Sequence, residues 1–205
     1  MYSLVIAEDE FTTRRALVNM IRWNEIGFQV DGEFSDGRGL LDYLKSNTPD
    51  VILTDIRMTQ IGGLEIAHLV SEQNLPIQIV FLSGHKEFSY AQKAVEYHVT
   101  QYLLKPIDIS KLKEIFQNIR RKLDEQNAKE DILQSQREHY NKLINYEKQQ
   151  FVTDAYFGAL KNQKQIEKRL SLIRNAADNG ETARQFFVKV IIKNDSRYQE
   201  FLENY

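Results

Sequence analysis

Two hydrophobic periodicities alternate along the first ~106 residues. Residues 3–7 (SLVIA) form an unbroken apolar run that ends in acid. Residues 11–22 then carry Phe11, Ala16, Leu17, Met20 and Ile21 at helical spacing. The stretch 29–34 (QVDGEF) alternates, which predicts a strand with Val30 and Phe34 on one face. Leu40, Leu41 and Leu44 mark a short helix, and residues 50–54 (DVILT) are a further apolar run. Gly62 and Gly63 precede a helix bearing Leu64, Ile66, Ala67, Leu69 and Val70. Residues 77–82 (IQIVFL) predict a fourth strand, 86–97 a helix, and 100–104 (TQYLL) a fifth strand. Strands alternating with helices of this length indicate a parallel sheet covered by helices on both faces. Four of the strands are nearly solid apolar, as strands buried on both sides are, and the more polar second strand reads as an edge.

From Asp108 onward the pattern is that of one long helix. Ile109, Leu112, Phe116, Ile119 and Leu123 step by 3, 4, 3 and 4 and predict a face packed on the sheet. Beyond about Lys122 the stripe thins to Leu133, Tyr140, Ile144 and Phe151, at steps of 7, 4 and 7. Such spacing fits an imperfect coiled coil, and equally a single solvated linker helix. Phe151–Leu160 and Ile166–Ala177 read as helices, 185–193 (QFFVKVIIK) as a strand and Asn194–Tyr205 as an amphipathic helix. This divides the chain into residues 1–122, a helical linker at 123–150, and the incomplete start of an α/β unit at 151–205. A single strand makes no stable sheet, so that last unit is cut short or needs partners.

Composition narrows the function classes. The chain has 205 residues, 42% hydrophobic and 27% charged, as in an ordinary globular protein. It contains no cysteine, which excludes disulfides, thiolate metal sites and cysteine nucleophiles. Lys plus Arg number 27 against 29 Asp plus Glu, so no basic excess favours nucleic acid. No apolar run approaches the ~18 residues that cross a membrane. The opening MYSLVIAEDE lacks the basic start of a signal peptide, so a cytoplasmic location is expected. No phosphate-binding glycine loop is present, and His68, His98 and His139 stand in no metal-ligand pattern.

The chemistry gathers at the strand ends. Glu8 and Asp9 follow the first strand, Asp55 ends the third, Ser83 the fourth and Lys105 the fifth. Singly, each has a structural explanation: acids after a strand cap helices, Ser-Gly pairs make turns, and lysines are solvated. Together they fall at one carboxyl edge, where open α/β sheets bind ligands. Three carboxylates there repel one another unless a cation balances them, and a hard divalent ion such as Mg²⁺ suits oxygen ligands. A lysine opposite the acids can pair with a carboxylate or a phosphoryl oxygen.

In Glu8–Asp9, TDIRM around Asp55, LSG at 82–84 and YLLKP at 102–106, residues 1 to about 120 resemble the receiver domain of two-component response regulators. IRWNEIGF (21–28) and SGHKEFSYAQKAV (83–95) further resemble regulators whose output is an AraC-type DNA-binding domain. The resemblance implies a flavodoxin-like, doubly wound five-stranded sheet of order 2-1-3-4-5, followed here by the long helix and a small α+β unit. It implies that Asp55 accepts a phosphoryl group from a sensor histidine kinase. Mg²⁺ would lie among Glu8, Asp9, Asp55 and the Arg57 carbonyl. Ser83 and Lys105 would contact the phosphoryl group, and Tyr102 would be the switch aromatic. The Lys105–Pro106 bond is often cis in this family. Such a protein is a phosphoacceptor that assists its own phosphorylation and dephosphorylation rather than an enzyme acting on others. DNA would be reached only through a C-terminal domain absent from this chain, and the linker helix would form a homodimer.

Two positions depart from the family pattern: Thr59 replaces the usual proline after TDIRM, and Gly62–Gly63 the usual Asp-Gly. Arg57 and His85 occupy positions that tend to influence dephosphorylation in the family. An aspartyl-phosphate hydrolase would need a second acid where Arg57 stands. A non-phosphorylated pseudo-receiver, serving as an interaction module, would have lost an acid or the lysine. Residues 186–205 faintly resemble the opening of a nucleotidyl-cyclase-like domain, without its catalytic signature.

Overall fold

A computed structural model describes residues 1–84, 87–156 and 163–176. Five strands, β1 (Tyr2–Ala7), β2 (Phe28–Phe34), β3 (Val51–Asp55), β4 (Gln78–Ser83) and β5 (Gln101–Leu104), form one sheet of order 2-1-3-4-5. Every pair is parallel. The helices are α1 (Phe11–Met20), α2 (Gly37–Leu44), α3 (Gly63–Glu72), α4 (Phe88–Glu96), α5 (Ile109–Tyr156) and α6 (Gln163–Ala176). A short 3-10 turn, Trp23–Ile26, leads into β2 through Gly27, whose φ of 91° is the left-handed conformation that glycine adopts without penalty. The predicted sheet and its order are thus observed.

The core has two layers, one on each face of the sheet. Leu4, Ile6, Leu53 and Leu82 meet Leu17 and Ile21 of the α1 region and Leu112, Phe116, Ile119 and Leu123 of α5. The predicted 3-4-3-4 stripe of α5 is therefore core. Val5, Ala7, Ile52 and Phe81 face Leu40 of α2, Ile66 and Val70 of α3, and Ala94 of α4. Trp23 anchors the first layer: its ring meets Phe116 edge-on at 4.6 Å and its Nε1 donates to the Leu17 carbonyl at 2.9 Å. Phe28 meets the same Phe116 ring edge-on at 5.2 Å.

One expectation fails in β2. Val30 packs on the α1–α5 layer and Phe34 on the α2–α4 layer, so the two do not share a face. The cause is a slip in register. Leu4 pairs with Val30 but Val5 pairs with Gly32, leaving Asp31 as an extra residue. One inserted residue turns every later side chain of the strand over.

The chain separates into two compact units, Met1–Gln126 and Asn127–Tyr205. Asp108 starts α5, accepting the amides of Ser110 and Lys111 at 2.8 and 3.2 Å. No break falls near residue 150: α5 continues through Phe151 to Tyr156 as one helix. Within the second unit, α6 returns to the end of α5. Arg169 pairs with Asp154 at 2.6 Å and Glu147 at 3.3 Å, and its guanidinium stands over the Phe151 ring. Ile144, Phe151 and Ile173 are buried there. The C-terminal half of the predicted coiled-coil stripe is therefore taken by α6. The strand expected at 185–193 and the helix at 194–205 lie outside the described residues, as do His85 and residues 157–160.

Candidate functional site

The parallel registers bring the carboxyl ends of β1, β3, β4 and β5 together. Ala7 pairs with Thr54, Asp55 with Leu82, and Ser83 with Leu104. Backbone bonds carry the alignment past the strands: Ile56 N–H donates to Leu82 at 3.0 Å and Lys105 N–H to Ser83 at 2.8 Å. Glu8, Asp55, Ser83 and Lys105 consequently emerge side by side. Glu8, Asp55 and Ser83 are buried, whereas Asp9 is exposed.

Lys105 is the centre of the charge arrangement. Its Nζ donates to Asp55 Oδ2 at 2.5 Å and to Glu8 Oε1 at 2.9 Å. Burial opposes the charge on Lys105, but hydrogen bonds from its ammonium to Asp55 and Glu8 outweigh that and raise its pKa. Burial also pushes the Glu8 carboxyl above its ordinary value. The Lys105 hydrogen bond opposes this shift, and the Asp55 charge adds to it. The second Asp55 oxygen, Oδ1, accepts the Arg57 amide at 3.0 Å, which fixes the carboxylate plane.

One lysine does not satisfy three acids. Glu8 Oε2 is buried and lacks a hydrogen bond, although Nζ lies 2.8 Å from it. Oxygens of Glu8, Asp9 and Asp55 all lie within 4.8 Å of one another. A buried carboxylate oxygen without a donor, beside two further acids, fits the divalent cation the family implies. No histidine joins a metal-binding group among the described residues.

The other expected positions are also placed. Tyr102, on β5 opposite Phe81, is half-buried against the α2–α4 layer. The Lys105–Pro106 bond is cis. The departures at Thr59 and Gly62–Gly63 leave a working helix start: Glu65 accepts the Gly62 amide at 3.1 Å, and the Gly63 amide bonds Ile56. A Cβ on Gly63 would stand 2.5 Å from the Asp55 carbonyl oxygen, so the close approach requires glycine.

Two neighbours of the site escape sequence reasoning. Arg14 Nη1 donates to the Glu8 carbonyl at 2.6 Å and ties the acidic loop to α1. Arg57 Nη1 lies 4.0 Å from Glu87 Oε1, so a charge pair links the loop after Asp55 to the residue preceding α4. The only signal for Arg14 is its place in the first turn of α1, and Glu87 has none.

Among known proteins, residues 4–117 match the response regulator receiver domain. The chain is 33% identical over 125 residues to the transcriptional regulatory protein YesN of Bacillus subtilis, covering 59% of this chain and 34% of that one. It is 30% identical over 128 residues to the transcriptional regulatory protein HptR of Staphylococcus aureus, covering 62% and 50%. The chain thus spans between about a third and a half of the length of these relatives. Among solved structures, the REC domain of AraT, a response regulator from Geobacillus stearothermophilus, is similar at a TM-score of 0.57 and 33% identity, covering 62% of this chain and 98% of that one. A LuxR-family DNA-binding response regulator from Staphylococcus aureus is similar at a TM-score of 0.54 and 29% identity, over 58% and 98%. No helix among the described residues is long and apolar enough to cross a membrane. With more than half of its length matched and transcriptional regulators among its relatives, the protein belongs to the response regulator receiver domain family.

Proposed function

We propose that Asp55 accepts a phosphoryl group from a phosphohistidine of a sensor kinase and that the chain relays this event to a transcriptional output. The observation that carries the reading is the position of Lys105, within hydrogen-bond reach of both Asp55 and the buried Glu8. An Asp55 carboxylate oxygen attacks phosphorus in line, the donor's N–P bond breaks, and an acyl phosphate forms on Asp55. The Arg57 amide on Oδ1 and Lys105 on Oδ2 hold the carboxylate in a fixed orientation for this attack. Lys105 then exchanges a carboxylate partner for a phosphoryl oxygen, and the Ser83 hydroxyl donates to another. Glu8, Asp9, Asp55 and the Arg57 carbonyl would hold Mg²⁺, whose contribution is to neutralise charge on the phosphoryl oxygens.

Movement of Ser83 toward the phosphoryl group opens room for Tyr102 to turn inward from β5. That biases the surface of α4, β5 and α5 between two states. The likeness to the transcriptional regulatory proteins YesN and HptR supports a transcriptional output, and the stretches IRWNEIGF and SGHKEFSYAQKAV favour one of AraC type, with DNA bound through a further domain. Action in the cytoplasm and pairing of two copies through the linker helix belong to the same reading.

The test is intact mass after incubation with Mg²⁺ and acetyl phosphate, for wild type and Asp55→Asn. A gain of about 80 Da, one phosphoryl group, in wild type alone supports the reading. No gain, together with no response to beryllofluoride, overturns it in favour of an interaction module.

A further inference from the structure

The part of α5 in the second unit carries two adjacent stripes. One passes through Ile144 and Phe151 and ends under α6. The other runs through Ile132, Gln136, His139, Leu143 and Tyr146, at steps of 4, 3, 4 and 3. Its three large apolar side chains are 59%, 51% and 58% exposed at Ile132, Leu143 and Tyr146. That spacing is the 3.5-residue repeat of a two-helix seam.

We propose that a second copy of this chain covers this stripe, parallel and in register. Charge complementarity selects that occupant. Lys142 and Glu147 flank the stripe on opposite sides, five residues apart. In a parallel pair this offset sets each Lys142 against the Glu147 of the other copy, twice over by symmetry. Glu147 keeps an oxygen for this, since Arg169 approaches only its Oε2, at 3.3 Å. The polar layer agrees: an amide both donates and accepts, so Gln136 is satisfied by its own counterpart at the same level. A buried polar layer also favours this register, because a slip of one heptad sets one Gln136 against Leu143 and the other against Lys129. Leu133 and Tyr140 border the stripe and widen its apolar area. The seam therefore lies one residue away from the Leu133–Tyr140–Ile144–Phe151 line that periodicity alone suggests.

This rests on the pairing of copies proposed above, and the experiment separates the two. The chain has no cysteine, so single cysteines report contacts without background. Ile132→Cys, Leu143→Cys and, on the opposite face, Asn141→Cys are oxidised in the full chain. Mass in solution is measured by light scattering, with phosphoryl uptake on the same samples to confirm a folded receiver. The expected result is a dimer, with covalent self-linkage at Ile132→Cys and Leu143→Cys and little at Asn141→Cys. Leu143→Asp is expected to halve the solution mass. A monomer at all concentrations overturns both the pairing and the seam. A dimer that links at Tyr140→Cys but not at Leu143→Cys overturns the seam alone. Linkage of Ile132→Cys with Tyr146→Cys, in place of self-linkage, overturns the parallel arrangement.

Discussion

Lys105 and Glu8 stand 97 residues apart in sequence and 2.9 Å apart in space, with the lysine spanning from Glu8 to Asp55. The pair organises the site before any phosphoryl group arrives, because the ammonium holds two acids that would otherwise repel. Its removal should show in stability as well as in chemistry.

Lys105→Met leaves Glu8 and Asp55 facing each other without the ammonium that bridges them. We expect a loss of about 2–4 kcal/mol at neutral pH in Mg²⁺-free buffer, since an unpaired buried charge is the costly outcome. The loss should be smaller at pH 5 than at neutral pH, because burial already favours the protonated form of Glu8 and removing the Lys105 ammonium favours it further. Urea unfolding of wild type and variant at both pH values checks this. A loss independent of pH would count against the electrostatic account.

The raised pKa of Glu8 gives a second pH dependence. Folding favours its protonated form, so its contribution to stability is fully present below the unfolded pKa of about 4.3 and declines as pH rises through the folded value. Glu8→Gln should therefore gain on wild type as pH rises from about 4 to 7, by on the order of 1 kcal/mol. Lys105 shows its dependence at the other end. Its contribution is present below about pH 10.4 and is lost as pH climbs through its raised folded value. Mg²⁺ acts against the first trend, because a cation competes with the proton on Glu8. The rise in melting temperature on adding Mg²⁺ should be larger at pH 7.5 than at pH 5 by differential scanning fluorimetry.

Gly63→Ala drives a methyl group to 2.5 Å from the Asp55 carbonyl and 3.0 Å from Thr54 Cγ2. A cost of about 1–3 kcal/mol is expected, with slowed phosphoryl uptake, because the displaced backbone carries the acceptor. Gly84→Ala is the control. It meets nothing within 4 Å and should change stability by less than about 0.5 kcal/mol. Thermal melts of the two variants decide, and equal losses would refute the crowding argument.

Phe116→Ala removes the ring that both Trp23 and Phe28 meet edge-on. The expected cost is about 3–5 kcal/mol. The single tryptophan reports it directly, since water reaching Trp23 moves its emission to longer wavelength.

Much of this was legible in sequence because the relevant signals are local. A strand buried on both faces has to be apolar throughout, so β1, β3 and β4 announce themselves, and the residue ending each run is placed at the edge. Glu8, Asp55 and Ser83 are found that way, whereas Lys105 follows β5, an edge strand exposed at Gln101 and Leu104. The bulge at Asp31 is not, because an alternating pattern looks the same whether or not the partner strand slips a residue. Arg14 is invisible for a related reason: its partner is a main-chain carbonyl, which leaves no mark on side-chain identity. In α5 the periodicity shows that Ile144 and Phe151 are covered. Whether α6 or another chain covers them depends on a fold-back that periodicity does not encode.

The slipped register of β2 also bears on how the protein can associate. An edge strand with free backbone groups invites a further strand to add. Here the edge is kinked by Asp31, and its other outward positions are Gln29 and Glu33, both exposed. The opposite edge, β5, is only four residues long and is followed closely by Pro106, which has no amide hydrogen to donate. The bulge and the short strand thereby blunt both flanks of the sheet against strand addition. Contacts with other proteins are left to helices and loops, so a receiver of this build can trade partners without its sheet becoming a template for aggregation.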